Sequence, residues 1–326
     1  MSRLYGHREA VDGLRAALDG GRLHHAWLVS GPVGVGKALF ARKAALRVLA
    51  QGQGPVARPG LDVPAEHQAA RLFEAGSHPD FVLLERLAKD GGTDVARNIT
   101  IDQVRGLQRL FATTATYSPW RAVVVDAVDD LEGPAANALL KNLEEPPPST
   151  LFLLVSHAPE RLLPTIRSRC RTLRLAPLAP GDMEAALQEA LADAGPAEIA
   201  ALVRAGEGSP GRAIAYRGLD IAGLDAAMQT IARTGDPTNH HRSSLAQSLA
   251  GKTAQPRYEA FLARVPSFIA GSARERRGPQ LAAALKLWEQ ASELARVAVR
   301  QSSDPQATAF EMGTVIAGLA GGAAKG

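Results

Sequence analysis

The chain has 326 residues, of which 46% are hydrophobic and 21% are charged. This composition excludes an intrinsically disordered protein, and the sequence has no run of about eighteen apolar residues that would span a bilayer. The net charge of +4 permits contact with nucleic acid but is too small to require it. The first residues lack the apolar segment of a secretory signal, so we expect a cytoplasmic protein.

The first predicted elements are a helix, a strand and a second helix. Apolar residues at helical spacing predict a helix over residues 8–20, which ends at a Gly-Gly pair. Residues 26–30 are an apolar run of strand type, and helix formers occupy residues 39–48. The segment GPVGVGKA at residues 31–38 joins the two and has the spacing of a P-loop.

A P-loop binds phosphate because its glycines allow successive backbone N–H groups to converge on the phosphate oxygens. The residues predicted to form this cradle are Gly31, Gly34, Gly36, Lys37 and Ala38. Lys37 would reach the outer phosphates. Ala38 stands where a working ATPase has Ser or Thr to bind magnesium, so that hydroxyl ligand is absent. The loop therefore either still holds a phosphate or nucleotide, or only forms the corner between strand and helix.

Further strands are predicted in the first half of the chain, at residues 81–84, 121–126, 150–156 and 173–175. The run RAVVVD at residues 121–126 is β-branched and apolar, which is typical of the middle of a parallel sheet. A helix over residues 133–144 is ended by the prolines that follow it. Because strands and helices alternate, we predict an α/β P-loop NTPase domain with a doubly wound parallel sheet.

After Pro180 the predicted strands stop, and Ala- and Leu-rich helices follow. We predict a P-loop domain over residues 1–178, a small helical lid over residues 179–225, and an all-α C-terminal oligomerisation (collar) domain over residues 226–326. One face of a long helix in the last domain carries Leu281, Leu285, Trp288, Leu294 and Val297. This pattern is typical of the wall of a helical bundle.

Two strand ends carry side chains suited to a nucleotide site. Asp126 stands where a P-loop protein places the acid that holds magnesium through water, so it is either a metal contact or a structural acid. The next residue is Ala127, where ATPases of this kind usually have the Glu that orients the attacking water. Ser156 ends a neighbouring strand, where a polar side chain could sense a terminal phosphate. With alanine at positions 38 and 127, two of the parts needed for hydrolysis are missing.

Arginines are concentrated in the segment LLPTIRSRC at residues 162–170. They form either a solvated basic face, or a site from which Arg169 projects towards the nucleotide of a neighbouring subunit. The single cysteine of the chain, Cys170, excludes an internal disulfide and any multi-cysteine zinc site. Apart from the alternative of a magnesium contact through water at Asp126, we predict no metal ligands.

Several motifs together give the sequence a family resemblance. They are LHHAWL at residues 23–28, SHPD at residues 77–80, AANALLKNLEEPP at residues 135–147, and SRC at residues 168–170. With these motifs in this order around the P-loop, residues 1 to 215 or so resemble the clamp-loader branch of the AAA+ ATPases. The resemblance implies an AAA+ type fold and an accessory role in loading a sliding clamp on primed DNA during replication.

The resemblance also implies roles for particular residues and partners. Arg169 would be an arginine finger that acts in trans on the ATP of an adjacent motor subunit. Arg212, in the segment GSPGR at residues 208–212, is similar to a position where the small helical domain senses nucleotide. The implied partners are the delta and gamma/tau subunits of a hetero-oligomeric clamp loader, the sliding clamp and primed DNA, with no membrane. The implied cofactor is ATP, if the cradle of this chain is occupied at all.

The sequence departs from this family in one further respect. Clamp-loader subunits often carry a four-cysteine zinc module after the cradle helix, but residues 51–76 contain no cysteine. The two histidines at positions 67 and 78 cannot build a tetrahedral structural site by themselves, so no zinc is expected.

Two other functions remain open from the sequence. The chain could be an autonomous AAA+ ATPase, such as a motor subunit or a branch-migration helicase, although Ala38 and Ala127 count against this. It could also be a DNA-binding scaffold with an inactive nucleotide site, with Arg274, Arg276 and Arg277 as a basic patch. We find none of the acid clusters that nucleotide addition by two metal ions would need, so this chain has no predicted polymerase site.

Overall fold

The computed structural model describes residues 3–88, 95–301 and 303–321. The chain divides into two compact units, Met1–Ile214 and Ala215–Gly326. The division into three domains at residues 178/179 and 225/226 stays a prediction.

The first unit alternates helices and strands. Its elements are α1 (Arg8–Asp19), β1 (Ala26–Ser30), α2 (Lys37–Gln53), α3 (Gln68–Glu74), β2 (Phe81–Glu85), α4 (Ile101–Arg105), α5 (Leu107–Ala112), β3 (Arg121–Asp126), α6 (Gly133–Glu144), β4 (Thr150–Ser156), α7 (Pro164–Arg167), β5 (Arg171–Arg174), α8 (Pro180–Ala190), α9 (Pro196–Gly206) and α10 (Pro210–Ala215). The strands pair in parallel and form one sheet in the order β2-β3-β4-β1-β5. The predicted α/β fold with a parallel sheet is confirmed.

The central strands of the sheet bring three polar side chains, Ser30, Asp126 and Ser156, to their carboxyl ends. Every residue of β1 and β4 is buried, as expected for strands covered by helices on both faces. The register pairs Ser30 with Ser156 and pairs Asp126 with Val155. The carboxyl ends of β1, β3 and β4 therefore meet beside the P-loop, which leaves β1 after Ser30.

One face of the sheet packs against α6 and α7. Leu139 and Leu143 of α6 and Ile166 of α7 lie in the same buried cluster as Phe152 of β4. Helix α6 ends at Glu144, as predicted, because the prolines that follow cannot continue it. The core thus fixes the end of α6 and the backbone of α7.

Two predicted elements have different bounds in the structure. Helix α2 is longer than predicted and already includes Lys37 of the P-loop. The last strand was predicted at residues 173–175, but β5 is Arg171–Arg174 and pairs with β1 from Trp27 to Ser30. An edge strand is defined by its backbone hydrogen bonds, so its polar residues belong to it although only Leu173 is buried.

The second unit is entirely helical within the residues described. Its helices are α11 (Ile221–Thr234), α12 (His240–Ser248), α13 (Gln255–Arg274), α14 (Gly278–Gln301) and α15 (Pro305–Gly321). Helix α15 contacts each of the other four, and its buried side chains Met312, Ile316 and Leu319 follow the helical period. The predicted all-α C-terminal region is confirmed. None of the helices that the structure describes is both long and apolar enough to cross a membrane.

The apolar face predicted for α14 is only partly buried. Leu285 is 48% exposed and Trp288 is 40% exposed. Among residues 278–298 of this helix, the buried positions are instead Ala284, Ala291 and Ala298, which recur every seven residues. Small side chains allow close approach of neighbouring helices, so the bundle packs against the alanine face and leaves the larger apolar residues partly outside.

Candidate functional site

The P-loop connects β1 to α2 and needs glycine at each predicted position. The φ angles of Gly31, Gly34 and Gly36 are 149°, 79° and 105°, which L side chains rarely adopt. A Cβ atom on Gly31 would also collide with the carbonyl oxygen of Leu175, and one on Gly34 would lie 2.6 Å from the backbone nitrogen of Arg212. The loop therefore has the left-handed backbone and close packing that only glycine accommodates.

Lys37 lies in the predicted place, but its own loop binds its ammonium group. Nζ donates to the carbonyl oxygens of Gly31 and Pro32, each at 2.7 Å. Burial lowers the pKa of Lys37 to about 8, against a smaller upward effect of Asp129 and Asp126. An ammonium has three donors, so one donor of Lys37 remains for a ligand in this arrangement.

The first turn of α10 lies directly against the P-loop. The backbone N–H of Gly211 donates to the carbonyl oxygen of Gly34 at 2.9 Å. A Cβ atom on Gly211 would lie 3.0 Å from the Cα atom of Gly34, so both glycines are needed for this approach. Arg212 is thereby brought beside the cradle, while its guanidinium forms an ion pair with Glu207 at 3.1 Å.

A cavity of about 680 Å³ opens beside the P-loop. Its volume is typical of small-molecule sites. The charged and titratable residues that line it are Arg3, Tyr5, Lys37, Glu85, Arg86, Asp126, Asp130, His157 and Glu189. Ala38 and Ala127 line it as well, so methyl groups stand where a hydrolytic site would need a hydroxyl and a carboxylate.

Asp126, at the end of β3, lines this cavity. Burial raises the pKa of its carboxyl group, against smaller opposing effects of His157 and Lys37. Burial also lowers the pKa of His157, which the sequence analysis did not single out. The only sequence signal for His157 is its place directly after the strand that ends at Ser156.

Ser156 is fully buried and does not line the cavity. Its hydroxyl donates to Oδ1 of Asp129 at 2.9 Å. The same carboxylate accepts from the backbone N–H groups of His157 and Ala158, at 2.7 Å and 3.1 Å. Asp129 thus fixes the end of β4, a role that no sequence pattern assigned to it.

Arg169 lies apart from the residues that line the cavity. It follows α7, and its Nη2 atom forms an ion pair with Oε1 of Glu144 at 2.7 Å. Its Nη1 atom donates to the carbonyl oxygen of Thr165 at 2.9 Å. The side chain remains 35% exposed. The predicted site residues therefore form two groups, one at the cradle and one at Arg169.

The segment after α2, for which the sequence predicts no zinc, is held in place by an arginine. Arg47 is 2% exposed, and its guanidinium donates to the carbonyl oxygens of Val56, Arg58 and Asp62 at 2.9–3.2 Å. The described residues include no group of three or more His, Cys, Asp or Glu side chains that could hold a metal ion. The sequence analysis did not assign this role to Arg47.

Comparisons with known proteins find relatives among the subunits of DNA polymerase III. The chain is 38% identical to the DNA polymerase III subunit delta' of Pseudomonas aeruginosa over 171 residues, which are 52% of this chain and 48% of that protein. It is 34% identical to the DNA polymerase III subunit gamma/tau of Mycobacterium bovis over 215 residues, 64% of this chain and 35% of that one. The matched part thus spans about half of the length of the delta' protein and about a third of the length of the gamma/tau protein.

Among solved structures, one similar chain is a DNA polymerase III, gamma subunit-related protein from Thermotoga maritima. The TM-score is 0.43 at 15% identity, and the match covers 94% of this chain and 98% of that one. The family model described as DNA polymerase III, delta subunit, matches residues 6–179. This match includes the P-loop, Asp126 and Arg169, and it extends over more than half of the 326 residues. The chain therefore belongs to the DNA polymerase III delta subunit family, which agrees with the resemblance to clamp-loader subunits that its motifs predict.

Proposed function

We propose that this chain is an accessory, delta'-type subunit of a DNA polymerase III clamp loader. It assembles with delta and gamma/tau subunits, which load the sliding clamp on primed DNA during replication. Family membership and the similarity to delta' support this assignment. The observation that carries it is the position of Arg169, which is partly exposed, held at two nitrogens, and separate from the chain's own cradle.

Arg169 acts in this proposal as an arginine finger in trans. A guanidinium presents a planar set of donors that matches phosphate oxygens and always carries charge. When a neighbouring motor subunit hydrolyses ATP, negative charge develops on the transferred phosphoryl group, and a finger stabilises that charge. The chemistry therefore belongs to the partner, and this chain completes the partner's site.

The chain's own cradle lacks the parts that hydrolysis requires. Ala38 provides no hydroxyl for magnesium, and Ala127 provides no carboxylate for the attacking water. Two of the three ammonium donors of Lys37 bind its own loop. The proposed function requires no nucleotide in this cradle.

We expect the isolated chain to release no phosphate from ATP above background, because these groups are missing. The measurement is phosphate release by the purified chain with magnesium, beside the Lys37→Ala variant at the same concentration. Wild type and variant should be indistinguishable. Magnesium-dependent hydrolysis that Lys37→Ala abolishes would instead identify the chain as an autonomous ATPase of the motor or helicase type.

The second unit is proposed to assemble with the motor subunits through the apolar surface of α14. Leu285 and Trp288 lie one helical turn apart on this helix and are both substantially exposed. Full burial of an exposed side chain of this size contributes about 1.5–3 kcal/mol, and a little under half of each of these two remains to be buried, so together they contribute about 1.5–3 kcal/mol and their loss should weaken assembly about tenfold or more.

The double change Leu285→Lys with Trp288→Lys tests this surface. We expect the variant to separate from the motor subunits in size-exclusion chromatography at concentrations where wild type co-elutes. Lys286→Glu, on an exposed side of the same helix, is the control and should co-elute normally. If the double variant stayed bound as tightly as wild type, α14 would not be the assembly surface.

The scaffold alternative predicts that the chain binds primed DNA without partners and loses affinity steeply with salt. One member of its basic patch already has a structural role, since Nη2 of Arg276 donates to the carbonyl oxygen of Leu319 at 3.0 Å. The net charge of +4 is also modest for a protein of this size. The clamp-loader assignment is therefore the better supported one.

A further inference from the structure

The ion pair between Arg169 and Glu144 joins two elements of the first unit. Glu144 is the last residue of α6, and Arg169 follows α7. Both helices are anchored in the same buried cluster, through Leu143 on one side and Ile166 on the other. The backbones that carry Glu144 and Arg169 are therefore both attached to the core, although their charged groups lie at the surface.

The contacts of Arg169 fix its guanidinium in one orientation. Nη2 binds Oε1 of Glu144 at 2.7 Å, and Nη1 binds the carbonyl oxygen of Thr165 at 2.9 Å. An arginine side chain has many rotamers, and holding both terminal nitrogens removes most of that freedom before any ligand arrives. The tip is thus oriented in advance.

These contacts leave the guanidinium able to bind an anion. A guanidinium has five N–H donors. Glu144 and Thr165 accept from two of them, and a longer contact of 3.5 Å from Nη1 to the hydroxyl of Ser168 involves a third. Within the part of the chain that the structure describes, at least two donors remain, and the side chain is 35% exposed, so a phosphate of another subunit can reach it.

The ion pair between Glu144 and Arg169 is expected to contribute little to the stability of the first unit. Glu144 is 42% exposed and Arg169 is 35% exposed, and ion pairs with this much solvent contact add little to the free energy of folding. The effect of this pair is better explained by the guanidinium of Arg169, which Glu144 orients and which in the proposed function must meet a phosphate.

We propose that Glu144 is the positioning residue of Arg169. This inference rests on the proposed function, because it assigns the orientation of the finger that the proposed function uses. Glu144 touches no nucleotide; it holds the guanidinium at the angle from which the remaining donors meet the developing charge on the partner's phosphate. Preorganised donors of this kind stabilise a transition state because they need no rearrangement during the reaction.

The test uses the clamp loader reconstituted with motor and other subunits encoded by the same genome, with ATP and primed DNA as the probes. Glu144→Ala should lower the rate of ATP hydrolysis at the adjacent motor site by about tenfold or more, measured as the slowed phase of a single turnover after primed DNA is added, with the KM for ATP unchanged. Glu144→Gln keeps an acceptor oxygen at the same distance and should recover part of the loss. Glu145→Ala removes the same charge from the next, exposed residue and should behave as wild type.

A double variant separates positioning from a general effect on the fold. Glu144→Ala should add nothing to the loss caused by Arg169→Ala, because both changes act through one guanidinium. Thermal melting of each variant shows whether the first unit is still folded, and Glu144→Gln serves as the test if Glu144→Ala melts early. Normal or increased turnover in folded Glu144 variants, together with a loss in Arg169→Ala, would overturn the positioning role alone. Normal turnover in Arg169→Ala would overturn the proposed finger and the positioning role with it.

Discussion

Replacing Arg169 by alanine is expected to lower ATP hydrolysis at the adjacent motor site about a thousandfold or more, because a finger in trans contributes that much to phosphoryl transfer in related systems. The total turnover of the reconstituted loader should therefore fall by the fraction that the adjacent motor site contributes to it. The measurement is DNA-stimulated phosphate release, with size-exclusion chromatography to show that the complex still assembles. Assembly should be intact, since the side chain is partly exposed and its pair with Glu144 is a surface contact.

Arg167→Ala is the matched control for this experiment. Arg167 lies on α7, two residues before Arg169, and its side chain is exposed. A general effect of positive charge on this surface would lower turnover equally in both variants. The finger assignment predicts a loss in Arg169→Ala only, and equal losses would support the solvated basic face instead.

Replacing Arg47 by methionine is expected to lower the free energy of unfolding of the first unit by about 3 kcal/mol or more. The change removes a buried guanidinium and leaves the carbonyl oxygens of Val56, Arg58 and Asp62 without these donors. Hydrogen bonds from a charged donor contribute about 1.5–3 kcal/mol each, so the loss of three of them is expected to reach about 3 kcal/mol although they are only partly buried. Urea unfolding followed by circular dichroism measures the effect on the transition that belongs to the first unit.

Two further variants make the test of Arg47 specific. Arg47→Lys keeps the charge but has a single nitrogen, which cannot replace a fork of donors, so we expect little rescue. Arg58→Met changes an exposed side chain of the same segment and should shift stability by less than about 0.5 kcal/mol. An unchanged midpoint for Arg47→Met would show that the segment from Gly54 to His67 does not depend on this residue.

Most of the fold could be predicted from local sequence pattern. The buried runs of β1, β3 and β4 and the glycines of the P-loop carry their signal within a few residues. The edge strand β5 was misplaced because its pairing depends on β1, over a hundred residues earlier in the chain. Helix α14 was predicted correctly, but its buried face was not, because alanines decide how closely helices approach and carry little hydrophobic signal.

The sequence predicts the P-loop and the strand end beside it, but not the contacts that their side chains make. The P-loop spacing identified Lys37, and the strand end identified Asp126. The pairs Ser156 with Asp129 and Arg169 with Glu144 join residues 25 or more positions apart. Only the folded chain brings such partners together. Arg47 was missed for the same reason, since its acceptors are backbone carbonyl groups and leave no mark in the sequence.

The most direct test of the central claim compares Lys37→Ala and Arg169→Ala in the same assembled clamp loader. The measurement is hydrolysis of pre-bound ATP in a single turnover after addition of primed DNA. The account predicts that Lys37→Ala behaves within twofold or so of wild type, because this chain hydrolyses nothing, and that Arg169→Ala loses the phase that belongs to the adjacent motor site. A lost phase in Lys37→Ala with normal hydrolysis in Arg169→Ala would contradict the account.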